Sequence, residues 1–178
     1  MKKFDTVKKE FLDFLEFDKG YSVRTIENYD RDISKFEVYI TEFSINYKKL
    51  SKENIFDFHS DLSATLGPRS FSRILSSLRT FYKYLFSQSL INDIVLNSIQ
   101  TYPSPKFKKS IPSFLSQEKI HDVLNKIDES KKNNFLKIRD KAVIMLFFTS
   151  GLRLEEMTNL NLKDIDLDNN SVKVLGKG

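Results

Sequence analysis

The sequence predicts a mainly α-helical protein whose last part mixes helix and strand, and three observations support this prediction. In residues 1–100, apolar side chains recur at the three- and four-residue spacing of amphipathic helices. Three of the four prolines fall within residues 101–113, where they prevent a helix from continuing. Residues 114–178 hold helical patterns and end in alternating residues around an Asp-Asn-Asn turn, which is typical of a β-hairpin.

Residues 1–100 are predicted to form a domain of four helices. The helices are predicted to begin near Asp5, Ser22, Ser51 and Pro68, of which the serines suit an N-cap and the proline a first turn. The first helix has Val7 and Phe11 on its apolar face and ends before Gly20. The third has only a partial capping box, with Asn54 in place of Glu or Gln, and the fourth continues to about Ser87.

Residues 101–113 are predicted to be an extended linker and the boundary between two domains. The stretch QTYPSPKFKKSIPSF places prolines among Lys106, Lys108 and Lys109 and contains no acidic residue. Proline favours extended backbone and interrupts a helix. The three lysines are therefore candidate contacts to an anionic partner.

Residues 114–178 are predicted to begin an α+β domain. A helix capped by Ser116 comes first, followed by the helix NNFLKIRDKAVIMLFFTSGL, which is apolar enough to form a domain core. A short helix around RLEEMTNL and a hairpin in KDIDLDNNSVKVLGKG complete the sequence. Because two strands make a marginal sheet, we interpret this region as the N-terminal part of a larger domain.

Composition argues against several classes of protein. The chain has no cysteine, so it has no disulfide framework and no thiolate metal site. His59 and His121 each stand alone, which argues against zinc, and we expect neither a metal nor a cofactor. No apolar run approaches the ~18 residues of a membrane span. The N-terminus lacks the apolar core of a signal peptide, so we expect a cytoplasmic protein without a membrane partner.

The net charge of +5 is concentrated in the middle of the chain, where residues 62–113 contain seven basic residues and one acidic residue, Asp93. The polar face of the fourth predicted helix has only basic and hydroxyl side chains, which are Arg69, Ser72, Arg73, Ser76, Arg79, Thr80, Lys83 and Ser87. A phosphate backbone binds such groups, whereas a face exposed only to solvent usually mixes both signs of charge. DNA contact is therefore the favoured interpretation of this face, and a solvated surface is the alternative.

The second predicted helix has a similar but weaker stripe. It consists of Arg24, Asn28, Arg31 and Lys35, opposite the apolar face. Acidic Glu27 and Asp30 flank the stripe, so DNA contact and simple solvation remain equally good interpretations.

The stretch TSGLRLEEMTNL follows the apolar run AVIMLFF and places Arg153 two residues after Gly151. A charge beside a core is costly unless something pairs with it. One interpretation is that the guanidinium interacts with the dipole at a helix C-terminus. The other is that its planar, permanently charged fork is meant to bind a phosphate.

Together these motifs resemble the tyrosine recombinase (phage integrase) family, particularly its Xer-like members. SVRTIENYDRDISKF and RSFSRILSSLRTFYKYL are similar to the family's SAM-like core-binding domain, and the stretch from TSGLRLEEM to the final GKG is similar to its first catalytic box and hairpin. The resemblance implies that Arg153 is the first catalytic arginine and Lys177 the hairpin lysine, and that Glu156 orients Arg153. Glu155 departs from the family's usual serine.

In that family a tyrosine attacks a DNA phosphodiester, forms a 3′-phosphotyrosine and uses no metal. Nothing in the sequence corresponds to the family's second box with its His-x-x-Arg, and all seven tyrosines precede Arg153. The resemblance therefore implies a core-binding domain and the start of a catalytic domain, without the nucleophile. Whether the chain is itself an enzyme is undecided at this point.

The resemblance implies double-stranded DNA with a recombination site as partner, in a tetramer with copies of the chain or a paralogous recombinase. The favoured function is site-specific DNA recombination or integration. A non-catalytic DNA-binding protein that occupies recombination sites, such as a natural truncation, is the alternative, and a helical interaction module without nucleic acid is a third hypothesis. The target site and the role, whether chromosome partition, phage integration or mobile-element transfer, stay open.

Overall fold

A computed structural model describes residues 3–107 and 114–175 of the chain. The chain divides into two compact units, Met1–Ser110 and Ile111–Gly178, and each is described by itself. Unit 1 is helical, and unit 2 combines helices with a two-stranded antiparallel sheet. The predicted mainly helical fold with a hairpin near the end of the chain is therefore confirmed. Within the described ranges, no helix is both long and apolar enough to cross a membrane.

Unit 1 has five α-helices and one turn of 3-10 helix in its described part. These elements are α1 (Phe4–Phe17), α2 (Val23–Glu42), the 3-10 turn Tyr47–Lys49, α3 (Lys52–Ser63), α4 (Pro68–Ser87) and α5 (Asp93–Gln100). The four predicted helices correspond to α1–α4. The capping box at the start of α3 is complete, because the Asn54 N–H donates to Ser51 Oγ (3.3 Å) and the Ser51 N–H donates to Asn54 Oδ1 (3.1 Å).

The fifth helix, α5, was not predicted. Asn92 caps it by accepting the backbone N–H of Val95 at 3.1 Å, and Val95 and Ile99 are buried in the core of unit 1. A helix of eight residues is too short to show a clear apolar period, and helices of this length depend on packing for stability. The sequence signal that could have predicted this helix was the pair Asn92-Asp93, which provides an N-cap residue followed by an acidic residue in the first turn.

Aromatic side chains of α1, α2 and α4 form the core of unit 1. Phe11 on α1 meets Phe81 on α4 at 5.2 Å between ring centroids, and Phe36 on α2 meets Tyr82 on α4 at 6.2 Å. Both pairs have edge-to-face geometry, which adds about 0.5–1.5 kcal/mol per pair beyond area burial. The buried Tyr82 hydroxyl donates to the carbonyl oxygen of Tyr47 at 3.0 Å. The tyrosine is therefore buried with its donor group hydrogen-bonded.

A buried carboxylate joins α2 to α4. Asp32 on α2 is 0% exposed, and its Oδ2 accepts from Arg73 Nη1 at 2.5 Å and from Ser77 Oγ at 2.8 Å, both on α4. The Arg73 side chain is 48% exposed and reaches the carboxylate from the edge of the interface. Asp32 Oδ1 has no hydrogen-bond partner in the described part of the protein. The pair therefore fixes the two helices side by side at the cost of one unsatisfied buried oxygen.

Unit 2 contains three α-helices, a 3-10 turn and a hairpin in its described part. These are α6 (Gln117–Glu129), α7 (Asn134–Ser150), α8 (Leu154–Thr158), the 3-10 turn Leu162–Asp164, β1 (Ile165–Asp166) and β2 (Ser171–Val172). Side-chain oxygens of Ser116 and Asn133 cap α6 and α7 by accepting the N–H groups of Lys119 and Leu136. The predicted order of helices and hairpin is confirmed.

The apolar helix α7 is only partly covered. In the described residues of unit 2, only Ile120 on α6 is buried among the hydrophobic side chains. Val143, Met145 and Phe148 on α7 are 37%, 40% and 42% exposed. α6 packs against α7 but leaves these three side chains partly exposed, so the helix has the composition of a domain core and incomplete cover.

The hairpin pairs Ile165 with Val172 and Asp166 with Ser171. The Asp166 carboxylate accepts the backbone N–H groups of the turn and the side-chain amide of Asn169 (2.8 Å), which lowers the pKa of Asp166. Asn170 takes the left-handed conformation (φ 49°), which asparagine tolerates better than most residues. The side chains of Asp166 and Asn169 therefore stabilise the predicted Asp-Asn-Asn turn.

Replacing Arg73 with methionine should lower the free energy of unfolding of unit 1. The change leaves the Asp32 carboxylate buried with Ser77 as its one donor. We expect a loss of about 2–3 kcal/mol, below the range for a fully buried pair because Arg73 is half exposed. Urea denaturation followed by circular dichroism measures the change.

Two variants control this measurement. Lys83→Met removes an exposed cation of the same helix and should change stability by no more than about 0.5 kcal/mol. The double variant Asp32→Leu, Arg73→Met removes both charges and should recover most of the loss. A double variant as unstable as Arg73→Met would contradict the idea that the uncompensated charge is the cause.

Candidate nucleic-acid interface and phosphate-binding site

The polar stripes of α2 and α4 lie along the two sides of the line where these helices meet. Asp32 on α2 contacts Arg73 and Ser77 on α4, so the two helices lie side by side along this line. Since the apolar faces of both helices point into the core, both polar stripes point outward on the opposite side. The structure thus brings together one surface, called the α2–α4 surface, made of Arg24, Asn28, Arg31, Lys35, Arg69, Arg73, Ser76, Arg79 and Lys83.

The cations of this surface differ in whether the protein already engages them. Arg31, Lys35 and Lys83 have no side-chain hydrogen bond or ion pair with any other described residue. Arg73 is paired with Asp32, and the Arg69 guanidinium lies 5.2 Å from the ring centroid of Phe107. The first three are therefore available to an external anion, whereas Arg73 is largely neutralised by its partner.

Arg79 lies at the edge of the surface, facing α5. Its guanidinium donates to the carbonyl oxygens of Ile99 and Tyr102 and to Ser104 Oγ. These acceptors are at the end of α5 and in the residues that follow it. Sequence periodicity placed Arg79 on the polar face, but it gave no indication of these contacts.

Residues 101–107, called the strap, are the part of unit 1 that follows α5, and they lie against its helices. Tyr102 is 8% exposed, and its hydroxyl is 3.2 Å from Nδ1 of His59. The His59 ring stacks on Phe71 with centroids 3.9 Å apart. Burial lowers the pKa of His59 and raises that of Tyr102, so the neutral forms of both are favoured. His59, which we expected to stand alone, is therefore part of the contact that holds the strap.

The linker and hairpin lysines are only partly described. Lys106 is exposed at the end of the strap. Lys108, Lys109 and Lys177 lie outside the described residues. Their assignment to DNA and to catalysis therefore rests on the sequence.

Arg153 lies where α7 ends and α8 begins. Gly151 ends α7 in the left-handed conformation (φ 64°), which glycine adopts without steric cost. The chain then turns, and Arg153 takes the N-cap position of α8. Glu156 Oε2 accepts the backbone N–H of Arg153 at 2.8 Å, and Oε1 accepts Nη1 at 2.6 Å. The Arg153 side chain is 74% exposed and Glu156 only 12%, so the carboxylate holds one edge of an open guanidinium.

The bonds from Arg153 keep Glu156 ionised. The backbone N–H of Arg153, followed by its guanidinium, lowers the pKa of the Glu156 carboxyl. Because the pKa is lowered on folding, the contribution of these bonds to stability is present above the ordinary glutamate pKa. It is lost as the pH falls through the lowered value. At neutral pH the guanidinium is therefore oriented by a full negative charge.

Arg153 lines an open cavity of about 620 Å³ beside the hairpin. Lys163 and Lys173 contribute two further cations to its lining. Asp164, also in the lining, accepts the backbone N–H of Asn161 at 3.0 Å and so is engaged within its own turn. The lining also contains the carboxylates of Glu155 and Glu156, so the guanidinium fork and the two ammonium groups, which are groups that bind phosphate, lie in a cavity of mixed charge.

Sequence reasoning missed several residues that shape these two sites. Asp32 and Ser77 were not recognised as the link between the stripes, since a contact between two helices leaves no periodic signal. Lys163 and Lys173 were not assigned to the Arg153 site. Lys163 comes just before β1 and Lys173 just after β2, and pairing of the two strands brings such residues close together. This position was the sequence signal that could have placed both lysines at one site.

Two family models match the chain. Residues 9–89 match the model described as phage integrase, N-terminal SAM-like domain, and residues 113–178 match the phage integrase family. The first match covers α2 and α4, and the second covers Arg153 and the hairpin. The chain belongs to the tyrosine recombinase, or phage integrase, family.

The relatives that the chain resembles are named tyrosine recombinases. It is 32% identical to the tyrosine recombinase XerC of Bacillus subtilis (strain 168) over 172 residues, which cover 96% of this chain and 55% of that protein. It is 35% identical to the putative tyrosine recombinase TTE1313 of Caldanaerobacter subterraneus subsp. tengcongensis over 164 residues, or 92% of this chain and 54% of that protein. The chain therefore spans little more than half the length of these curated relatives.

A solved structure shares the fold. It is the XerH site-specific recombinase bound to difH substrate in a pre-cleavage complex, with a TM-score of 0.65 and 20% sequence identity. The match covers 86% of this chain and 46% of that chain. At this identity the likeness establishes the fold alone.

Replacing Arg153 with alanine should raise the pKa of Glu156 only part of the way to its ordinary value. The variant loses the guanidinium, but the backbone N–H of residue 153 still donates to the carboxylate. NMR titration of side-chain-labelled glutamates measures the shift, with Glu118, whose pKa is lowered by bonds at the start of α6, as an unaffected reference. A complete return to the ordinary value, or no change at all, would be inconsistent with this geometry.

Proposed function

We propose that the chain supplies DNA binding and part of the catalytic centre of an Xer-like site-specific tyrosine recombinase. The observation that supports it most strongly is Arg153, which lies in the stretch that resembles the family's first catalytic box and is held by Glu156 with most of its side chain exposed. A cation in this state is ready for a phosphate. The proposed partner is double-stranded DNA that contains a recombination site.

In the proposed reaction a tyrosine attacks the scissile phosphodiester, forms a 3′-phosphotyrosine and releases a 5′-hydroxyl. Arg153 would place its fork on the non-bridging oxygens and stabilise the charge that develops there. Lys177 would donate the proton to the leaving 5′-oxygen, a task for which lysine is suited because its pKa responds strongly to its surroundings. The nucleophile and the remaining phosphate ligands correspond to no residue of this chain.

The α2–α4 surface is the proposed DNA contact of unit 1. Arg31, Lys35 and Lys83 provide charge that is unpaired among the described residues, and Ser76 and Asn28 provide neutral donors beside them. Phosphate contacts of this kind position a protein on a duplex without reading its sequence. The exposed Lys106 extends the positive surface into the strap, and we propose that Lys108 and Lys109 continue it.

The assembly and the biological role are part of the same proposal. In the complete enzyme, copies of the chain or a paralogous recombinase would meet in a DNA-bound tetramer, without a metal ion. The Xer resemblance supports a cytoplasmic role in chromosome partition. The recombinase names of the relatives favour this proposal over a protein that only occupies recombination sites.

Replacing Lys83, Lys35 or Arg31 with glutamine should weaken duplex binding and flatten its dependence on salt. Each lost phosphate contact is expected to reduce the slope of log K against log[salt] by ~0.9. Fluorescence anisotropy with a labelled duplex at four salt concentrations measures the slope. The matched control is Lys52→Gln, an exposed lysine at the start of α3 and outside the α2–α4 surface. Slopes equal to that of the control would refute DNA contact by this surface.

The 178-residue chain alone should form no covalent complex with DNA. All seven tyrosines lie between residues 21 and 102, and burial raises the pKa of Tyr39, Tyr82 and Tyr102, which disfavours the phenolate needed for attack. The assay uses a nicked suicide duplex and a denaturing gel, with a full-length Xer recombinase as the positive control. A covalent band that Tyr21→Phe abolishes would overturn the expectation, since Tyr21 is 41% exposed.

A further inference from the structure

Arg79 uses all three nitrogens of its guanidinium in hydrogen bonds within unit 1. It donates from Nε to the carbonyl oxygen of Ile99 (3.3 Å), from Nη1 to Ser104 Oγ (3.1 Å) and from Nη2 to the carbonyl oxygen of Tyr102. In return, Gln100 Nε2 donates to the carbonyl oxygen of Arg79 at 3.0 Å. These contacts tie the middle of α4 to the end of α5 and to the strap.

We infer that Arg79 is a positioning residue that fastens the strap to unit 1, and that it does not serve as a phosphate ligand. The last carbonyl groups of α5 have no helical partners and bear the negative end of the helix dipole, so a cation is favoured there. A planar fork satisfies three acceptors in different directions at once, which a lysine ammonium on a flexible stem does not reproduce. Three of the five N–H groups of Arg79 are engaged in this way, one on each nitrogen, so no nitrogen of the guanidinium is wholly free for DNA.

Two other contacts hold the strap at separate points. The Tyr102 ring is buried beside His59, and Phe107 lies under the guanidinium of Arg69. The strap is therefore fastened along its whole length, from residue 101 to residue 107.

Hydrogen exchange of the free protein tests the anchor directly. Arg79→Lys keeps the charge but loses the fork, so exchange of a peptide covering residues 101–107 should rise about tenfold. Lys83→Gln, one turn further along α4, should leave this peptide unchanged. Ser104→Ala removes a single acceptor and should give a smaller rise; it serves as the second variant if Arg79→Lys fails to fold by circular dichroism. Unchanged exchange in Arg79→Lys and Ser104→Ala would overturn the inference.

Salt titration of duplex binding separates the anchor from a phosphate contact. Arg79→Gln should leave the slope of log K against log[salt] unchanged, whereas Lys83→Gln should lower the slope by ~0.9. A slope lowered equally by Arg79→Gln would overturn the inference and make Arg79 a phosphate ligand. This experiment depends on the proposed DNA binding, but the exchange experiment needs no DNA, so failures of the two proposals are distinguishable.

Discussion

The buried carboxylate of Asp32 is the contact on which the arrangement of the helical unit depends. Apolar surfaces tolerate small shifts of one helix along another, but a carboxylate at 0% exposure is stable only where its donors are. Arg73 and Ser77, one turn apart on α4, therefore fix the register of α4 against α2. The polar stripes of both helices then lie on one side of the aromatic core as a single surface. A buried ion pair usually contributes little net stability, so we attribute to the Asp32–Arg73 pair the specific placement of the two helices.

The four cations of α4 illustrate how neighbours determine what a charge does. On the polar face of an isolated helix, Arg69, Arg73, Arg79 and Lys83 are equivalent. In the folded unit, Asp32 engages Arg73 at the edge toward α2, and the end of α5 engages Arg79 at the opposite edge. Lys83, near the middle of the stripe, contacts no acidic group in the part of the chain that the structure describes. A count of positive charges therefore overstates the number of phosphate contacts that a helix provides, because charges at the edges of the stripe also serve the fold.

Much of the fold could be predicted because its signals are local. N-caps, apolar periods and turn residues lie within a few positions of one another, and they located α1–α4, α6–α8 and the hairpin. The link between Glu156 and Arg153 was also local, at a separation of three residues. By contrast, Asp32 and Arg73 are 41 residues apart, and His59 and Tyr102 are 43 residues apart. Nothing in a single sequence pairs such residues, and the helix α5, which presents acceptors to Arg79, was too short for its period to stand out.

The position of Arg153 argues against the interpretation that its charge stabilises the C-terminus of α7. A cation that stabilises the C-terminus of α7 would lie in the last turn of that helix. Arg153 instead follows Gly151, after the chain has turned, and it begins α8. There it stands beside N–H groups at the positive end of a helix, where an arginine is electrostatically disfavoured. Glu156 offsets this disadvantage by binding the backbone and the guanidinium together, but it leaves the side chain 74% exposed. Arg153 thus lies at a helix N-terminus that disfavours its charge, is held there by the Glu156 carboxylate, and is open to solvent. These three features are typical of a residue that binds a ligand.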